Sequence, residues 1–383
     1  MFTQQRLSQL QQRPTPFYVY DLGLLDRTLA AAKAASAPHD YHVHYALKAN
    51  SNPEILSHIR KAGFGADCVS GNEVKRAVET GFDKEAIVFA GVGKSDAEIR
   101  YALEQEIFCF NCESLPELEV IDQLARGMGK KARVALRINP NVKANTHHYI
   151  TTGLEENKFG ISIHELPAVI EAMNELSHLQ LVGLHFHIGS QITDLSVFRS
   201  LCMRVNELQE WFASRRIPLQ HINVGGGLGV NYHEPDKEAV PDFESFFGIF
   251  AKFLEVRSGQ QVHFELGRAL VAQCGSLISR VLYVKKGVQT NFAILDAGMT
   301  ELIRPALYQA YHKVENLTPS PGATISRYDV VGPVCESSDC FGKAMDLPEV
   351  KRGDLVAIRT AGAYGEVMMS RYNLREAEAT LYW

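Results

Sequence analysis

Strand-like and helix-like segments alternate eight times along this chain before the pattern breaks, and that rhythm restricts the fold more than any other feature. The apolar runs are His42–Leu47, Phe64–Val69, Ala86–Ala90, Ile107–Phe110, Arg133–Ile138, Leu181–Ile188, His221–Val224 and Val262–Leu266. Each is short, carries β-branched or aromatic residues, and reads as a buried strand. Between them, apolar residues recur at helical spacing over Asn52–Lys61, Asn72–Thr80, Asp96–Glu104, Leu115–Arg126, Glu165–Leu176, Leu195–Arg215 and Phe243–Val256. Ser95 stands as a cap before one helix, and Ser114 with Glu117 has capping-box spacing before another. Eight strand–helix units in about 250 residues predict a (β/α)8 TIM-type barrel.

After Arg268 the texture changes. Leu277–Val284, Phe292–Leu295, Tyr328–Val331, Leu355–Arg359 and Val367–Met369 have few helical patterns between them and Gly or Pro in their connections. That spacing predicts a C-terminal antiparallel β domain. Pro16–Tyr20 is also strand-like and is expected to join that sheet. The domain boundaries are therefore residues 1–27 for an N-terminal segment joining the β domain, 28–268 for the barrel, and 269–383 for the β domain. A net charge of −5 gives no basic field for nucleic acid, and no apolar run is long enough to span a bilayer. The polar N-terminus lacks the apolar core of a signal peptide. Seven scattered cysteines make no disulfide framework. Cys109 and Cys112 straddle a strand end, and Cys335 and Cys340 have no second pair to complete a zinc site. No metal is expected, and the expected compartment is the reducing cytoplasm.

In such a barrel, chemistry gathers at the C-terminal ends of the strands. Polar residues fall there repeatedly. Lys48 follows the first strand, Asp67 ends the second and Arg137 the fifth, while His185 and His187 end the sixth. The seventh runs into Gly225-Gly226-Gly227-Leu228-Gly229, and the eighth ends in Glu265-Leu266-Gly267-Arg268. Taken singly, Lys48 is a solvated lysine, a histidine is a satisfied core group, and a glycine run is a tight turn. Their convergence on one rim reverses those readings. A partly buried lysine there can act as an amine nucleophile toward a carbonyl. Glycines in the loop after the seventh strand let backbone amides approach a phosphate. A phosphate anchor opposite such a lysine points to pyridoxal 5′-phosphate, PLP, with Glu265 as partner of its ring nitrogen and His187 flat against the ring. Arg137 is expected to brace Asp67 or Glu265.

The ordered set YALKAN, HFHIGSQ, GGGLG, ELGR, RPALY, GPVCESSD and GAYG resembles the fold-type III PLP-dependent decarboxylases. The resemblance runs from about Pro16 to Tyr372 and implies the alanine-racemase-like architecture of barrel plus β domain. Thr146–Gly153 and Asn157–Ile161 are similar to the branch that acts on diaminopimelate. By motif, the resemblance makes Lys48 the cofactor-bearing lysine and His187 the ring-stacking histidine. It gives Ser190, Gly225, Gly226 and Gly227 to the phosphate, Glu265 to the ring nitrogen, and Asp67 to the cofactor-binding set. Arg268, Arg304 and Tyr308 resemble the substrate-carboxylate site. Cys335 resembles the proton donor, Glu336 the group that reads the substrate's distal amine, and Tyr364 a residue touching phosphate and substrate. One departure is Leu266, where the family usually has proline; it bears on the stiffness of the loop but leaves Glu265 and Arg268 in place.

What the resemblance implies is decarboxylation of meso-diaminopimelate to L-lysine, by a homodimer in which Cys335 and Glu336 enter the partner subunit's site. A related decarboxylase of ornithine, arginine or carboxynorspermidine shares most motifs, but the Arg268/Arg304 pair favours a substrate with a second amino-acid end. A racemase of the same architecture needs an arginine near the ring nitrogen, and Glu265 counts against it. A catalytically dead regulator is disfavoured by the retention of Lys48 and Cys335.

Overall fold

In the computed structural model, which describes residues 2–142 and 158–383, the chain opens with α1 (Gln4–Gln11), β1 (Phe17–Tyr20) and α2 (Leu22–Ser36). Eight strands then close into a barrel, β2 (Tyr41–Ala46), β3 (Gly65–Cys68), β4 (Ile87–Phe89), β5 (Cys109–Cys112), β6 (Ala132–Arg137), β7 (Leu179–His185), β8 (His221–Asn223) and β9 (Gln261–Leu266). All neighbours are parallel, and β9 pairs back onto β2. Cys109 and Cys112 are the two ends of β5 rather than residues either side of its end.

The helices between the strands are α3 (Pro53–Lys61), α4 (Gly71–Thr80), α5 (Asp96–Gln105), α6 (Leu115–Gly127), α7 (Leu166–Met173), α8 (Ser196–Ser214) and α9 (Phe243–Phe253). Local chemistry sets their starts. Asn52 accepts from the Glu54 N–H with Pro53 at the first helical position, and Ser70 accepts from the Glu73 N–H. The capping box forms fully at Ser95, whose backbone N–H donates to Glu98. At Ser114 only half of it forms, because the Glu117 carboxylate accepts from the Glu113 N–H instead.

Strand β9 shows how the sequence divides its faces. Phe264 points outward among Phe246, Phe247 and Phe250 of α9, with ring centroids 4.9 Å from Phe247 and Phe250. His263 and Glu265, two residues apart, project together into the barrel. The interior is thus polar in two successive layers. Beneath Glu265, His44 Nε2 meets His263 Nδ1 at 2.9 Å, and His263 Nε2 meets His221 Nδ1 at 3.0 Å.

The second unit comprises Met1–Thr28, Val230–Pro241 and Val271–Trp383, and the barrel unit comprises Leu29–Gly229 and Asp242–Leu270. After the short helix α10 (Arg268–Val271) come β10 (Gly275–Lys286), β11 (Asn291–Leu295), α11 (Arg304–Tyr308), β12 (Val314–Asn316), β13 (Ile325–Val331), β14 (Cys340–Pro348), β15 (Leu355–Ile358) and β16 (Leu381–Tyr382). The sheet runs β12-β15-β10-β11-β13-β14, and β1 joins it by pairing antiparallel with β10. Most pairings are antiparallel; β11 with β13 and β1 with β16 are parallel. Val367–Met369 is not a strand. Those residues follow Tyr364, which has φ 56°, and Glu366–Met368 forms a single tight helical turn with Val367 exposed.

Candidate active site

The C-terminal rim of the barrel is built from strand ends. Lys48 sits in a helical turn, Leu47–Ala49, directly after β2, and Asp67 is the third residue of β3. The β2–β3 register places Ala46 beside Asp67, and the Lys48 ammonium lies 3.4 Å from Asp67 Oδ2. Asp67 Oδ1 is buried with no partner among the described residues. Burial, reinforced by the nearby charge of Glu265, pushes the Asp67 carboxyl up to about 7, against the pull of Lys48.

Glu265 is held by three side-chain donors. Its Oε1 accepts from Asn111 Nδ2 at 3.1 Å and Asn223 Nδ2 at 2.8 Å, and its Oε2 accepts from His185 Nε2 at 2.9 Å. Burial alone would raise this carboxyl. His185, Lys48 and His187 outweigh it and hold Glu265 well below the usual carboxylate range. His187 moves the other way from an ordinary imidazole: burial, with Lys48 and Arg137 nearby, holds it well below 6.5.

The glycine loop follows β8. A side chain at Gly225 would meet the Phe186 carbonyl at 2.2 Å, and one at Gly226 would meet the Glu265 carbonyl at 1.8 Å. Gly225 and Gly227 also hold φ of 71° and 108°, where glycine is favoured. These glycines are therefore required by the barrel's own backbone, independently of any phosphate. Across the same rim, Arg268 donates to Ser190 Oγ at 3.0 Å.

Arg137 departs from expectation. It braces neither Asp67 nor Glu265 but pairs with buried Glu113 at 2.6 Å, just past the end of the adjacent strand β5. Glu113 in turn accepts from the Gly160 N–H. Lys48 is also not the only lysine of this rim. Lys94, in the loop after β4, has a side chain only 1% exposed and donates to Gly91, the Asn111 carbonyl and Glu117. Leu266 is buried as the last residue of β9, in register with Tyr45. The sheet ladder holds the position where the family has proline.

The remaining predicted residues belong to the β unit. Arg304 begins α11; buried, it donates to Tyr232 Oη at 2.9 Å and to His312 Nε2 at 2.8 Å. His312 can accept there because its Nδ1 faces the Arg359 carbonyl, an acceptor only. Tyr308 closes the same helix. Cys335 and Glu336 are exposed, and Glu336 accepts from Tyr372 Oη at 2.9 Å. Thr146–Gly153 and Asn157 lie outside the described residues.

The sequence reading missed Asn111 and Asn223 and gave His185 no task. All three follow its own rule, since Asn111 is in β5 and Asn223 and His185 end β8 and β7.

The arrangement fits PLP on its own chemistry: an amine beside a buried carboxylate with an unpaired oxygen, an anionic carboxylate held by three donors, and a glycine turn. Among the described residues no cluster suits a metal ion, and no helix is long and apolar enough to cross a membrane.

Comparison with known proteins agrees with this chemistry. Residues 22–272 match the family model described as pyridoxal-dependent decarboxylase, pyridoxal binding domain. The chain is 60% identical to the diaminopimelate decarboxylase of Bacteroides thetaiotaomicron over 94% of each chain. It is 44% identical to that of Pseudomonas aeruginosa over 96% of this chain and 88% of the relative. Among solved structures, diaminopimelate decarboxylase from Helicobacter pylori complexed with L-lysine is similar, with a TM-score of 0.92 and 41% identity, covering 98% of this chain and 93% of that one.

Proposed function

The chain belongs to the pyridoxal-dependent decarboxylases, in their diaminopimelate decarboxylase branch, and from that premise we propose that it converts meso-diaminopimelate to L-lysine and carbon dioxide with PLP as cofactor. The observation that carries this reading is the buried, anionic Glu265 on the same barrel rim as Lys48. When bound, PLP supplies an electron sink for the pair left behind by the departing carboxylate. Lys48 would hold it through its amine, Glu265 would face its ring nitrogen, and His187 would lie against the ring. Ser190 and the Gly225–Gly227 turn would hold the phosphate with Tyr364, and Asp67 would set the charge around the Lys48 amine.

The chain's own side chains then select the bond that breaks by orienting the substrate. The D end of meso-diaminopimelate is the reacting end. Arg268, Arg304 and Tyr308 would hold carboxylate, and Glu336 the distal amine. Cys335 Sγ would deliver a proton to the α-carbon after carbon dioxide leaves. In this reading the enzyme is a homodimer in cytoplasm, with Cys335 and Glu336 serving the partner subunit's site. The test is incubation with PLP and meso-diaminopimelate, followed by detection of lysine and carbon dioxide. Turnover of ornithine or arginine in preference would move the chain to another branch.

A further inference from the structure

The acceptor directions of Glu265 can be counted. An ionised carboxylate offers about four lone-pair directions, two on each oxygen. Asn111 and Asn223 both donate to Oε1, so that oxygen is filled. Among the described residues, Oε2 receives only His185 Nε2. One direction remains, and it is on Oε2. Glu265 and His185 are 5% and 1% exposed, so water does not compete freely for it.

His185 is held to its task by its backbone. Its carbonyl accepts from the Ile138 N–H at 2.9 Å, and the next residue's N–H donates to the Asn223 carbonyl at 2.8 Å. The side-chain proton is equally constrained. Nε2 faces a carboxylate, whereas Nδ1 is buried with no partner among the described residues, so a proton on Nδ1 would have no acceptor. The imidazole therefore presents an N–H to Oε2.

We propose that His185 is a positioning residue for the cofactor's ring nitrogen: by occupying one of the two acceptor directions of Glu265 Oε2, it leaves a single direction for that nitrogen and keeps Glu265 anionic there. The inference rests on the reading that Glu265 faces the ring nitrogen. Without His185, Oε2 would have two open directions and no protein donor. Glu265 would then take up a proton more readily, and the ring nitrogen would lose its fixed anionic partner.

The test uses holoenzyme loaded with PLP carrying an isotope label at the ring nitrogen, whose magnetic-resonance shift reports whether that nitrogen is protonated. His185→Phe keeps a flat ring and removes the donor. The protonated-to-unprotonated ratio should fall roughly 10- to 150-fold, the scale of one hydrogen bond to a charged group. His185→Gln restores an N–H donor and should recover most of that loss. A folded, PLP-loaded His185→Phe enzyme with the wild-type ratio overturns the proposal, as does a failure of Gln to rescue. Should Phe not fold, His185→Met is read by the same two criteria. Glu265→Gln separates the premise from the inference: if it leaves the ring nitrogen unchanged, the Glu265 reading fails before His185 is judged.

Discussion

At the scale of single residues, two lysines stand on the barrel rim and their surroundings tell them apart. Lys94 gives its protons to two carbonyls and a carboxylate inside the protein, whereas Lys48 is half-buried beside Asp67. Hydride reduction of PLP-loaded protein should therefore fix the label on Lys48 and leave Lys94 unmodified; a peptide map with the label on Lys94 would overturn the assignment. Arg304 poses a harder question, because its guanidinium already serves Tyr232 and His312. An arginine has five donors, so a substrate carboxylate remains within its capacity. Arg304→Met should weaken use of meso-diaminopimelate by roughly 10- to 150-fold, the equivalent of about 1.5–3 kcal/mol for a charge-assisted bond, while PLP stays bound. If the variant instead loses PLP or stability while the enzyme that remains folded keeps the wild-type KM, Arg304 is a brace of the β unit.

At the scale of elements, β9 carries structure on one face and chemistry on the other. Phe264 packs against three phenylalanines of α9, fully buried, so Phe264→Ala should cost about 3–5 kcal/mol in unfolding free energy. Chemical denaturation measures this, and a loss below about 0.5 kcal/mol, the scale of a surface change, would remove Phe264 from the core. The same alternation explains what was legible in the sequence. Barrel strands and their helices announce themselves because both faces of each strand are buried and each helix has one apolar stripe. Lys48, His187 and Glu265 were visible as charged or titratable groups at strand ends. Asn111 and Asn223 were not, since an amide at a strand end looks like an ordinary turn residue until its partner is seen. The Arg137–Glu113 pair was missed because Glu113 lies beyond its strand, where sequence spacing does not fix a side chain's direction. Strand β14 was missed for a different reason. It includes Gly342, Lys343 and Asp346, only two of its nine residues are buried, and β13 supplies the ladder that its own composition does not suggest.

At the scale of the whole molecule, the barrel interior makes stability depend on pH. The Ala86 carbonyl can only accept, so His44 carries its proton on Nδ1 and accepts at Nε2 from His263 Nδ1; His263 Nε2 then accepts from His221 Nδ1. Every contact in this chain is satisfied with the imidazoles uncharged, and a proton added to His44 or His263 sets two N–H groups against each other. Burial lowers His44 and holds His263 and His187 well below 6.5, and it lowers His221 from 6.5 to about 4. Unfolded histidines take up protons from about pH 6.5 downward, where the folded ones do not. Folding stability from these groups is therefore complete above that pH and falls as the solution is acidified toward about 4. Asp67 opposes this, because its folded carboxyl, raised to about 7, keeps a proton that the unfolded chain has lost, and so favours the folded state as pH drops. One carboxyl stands against four imidazoles across this window, and raised Glu73, Glu301 and Asp339 add their opposition mainly near the ordinary carboxylate range, so the histidines decide the sign. Each imidazole kept uncharged contributes up to about 1.4 kcal/mol per pH unit, less for the half-buried His221, where water screens it. Urea midpoints should accordingly fall steadily from pH 6.5 toward 4, and His221→Phe should make that fall shallower even though it lowers stability at neutral pH by leaving His263 Nε2 without its donor. A wild-type midpoint that stays level or rises on acidification across this range would show that the histidine chain accepts protons in the folded barrel.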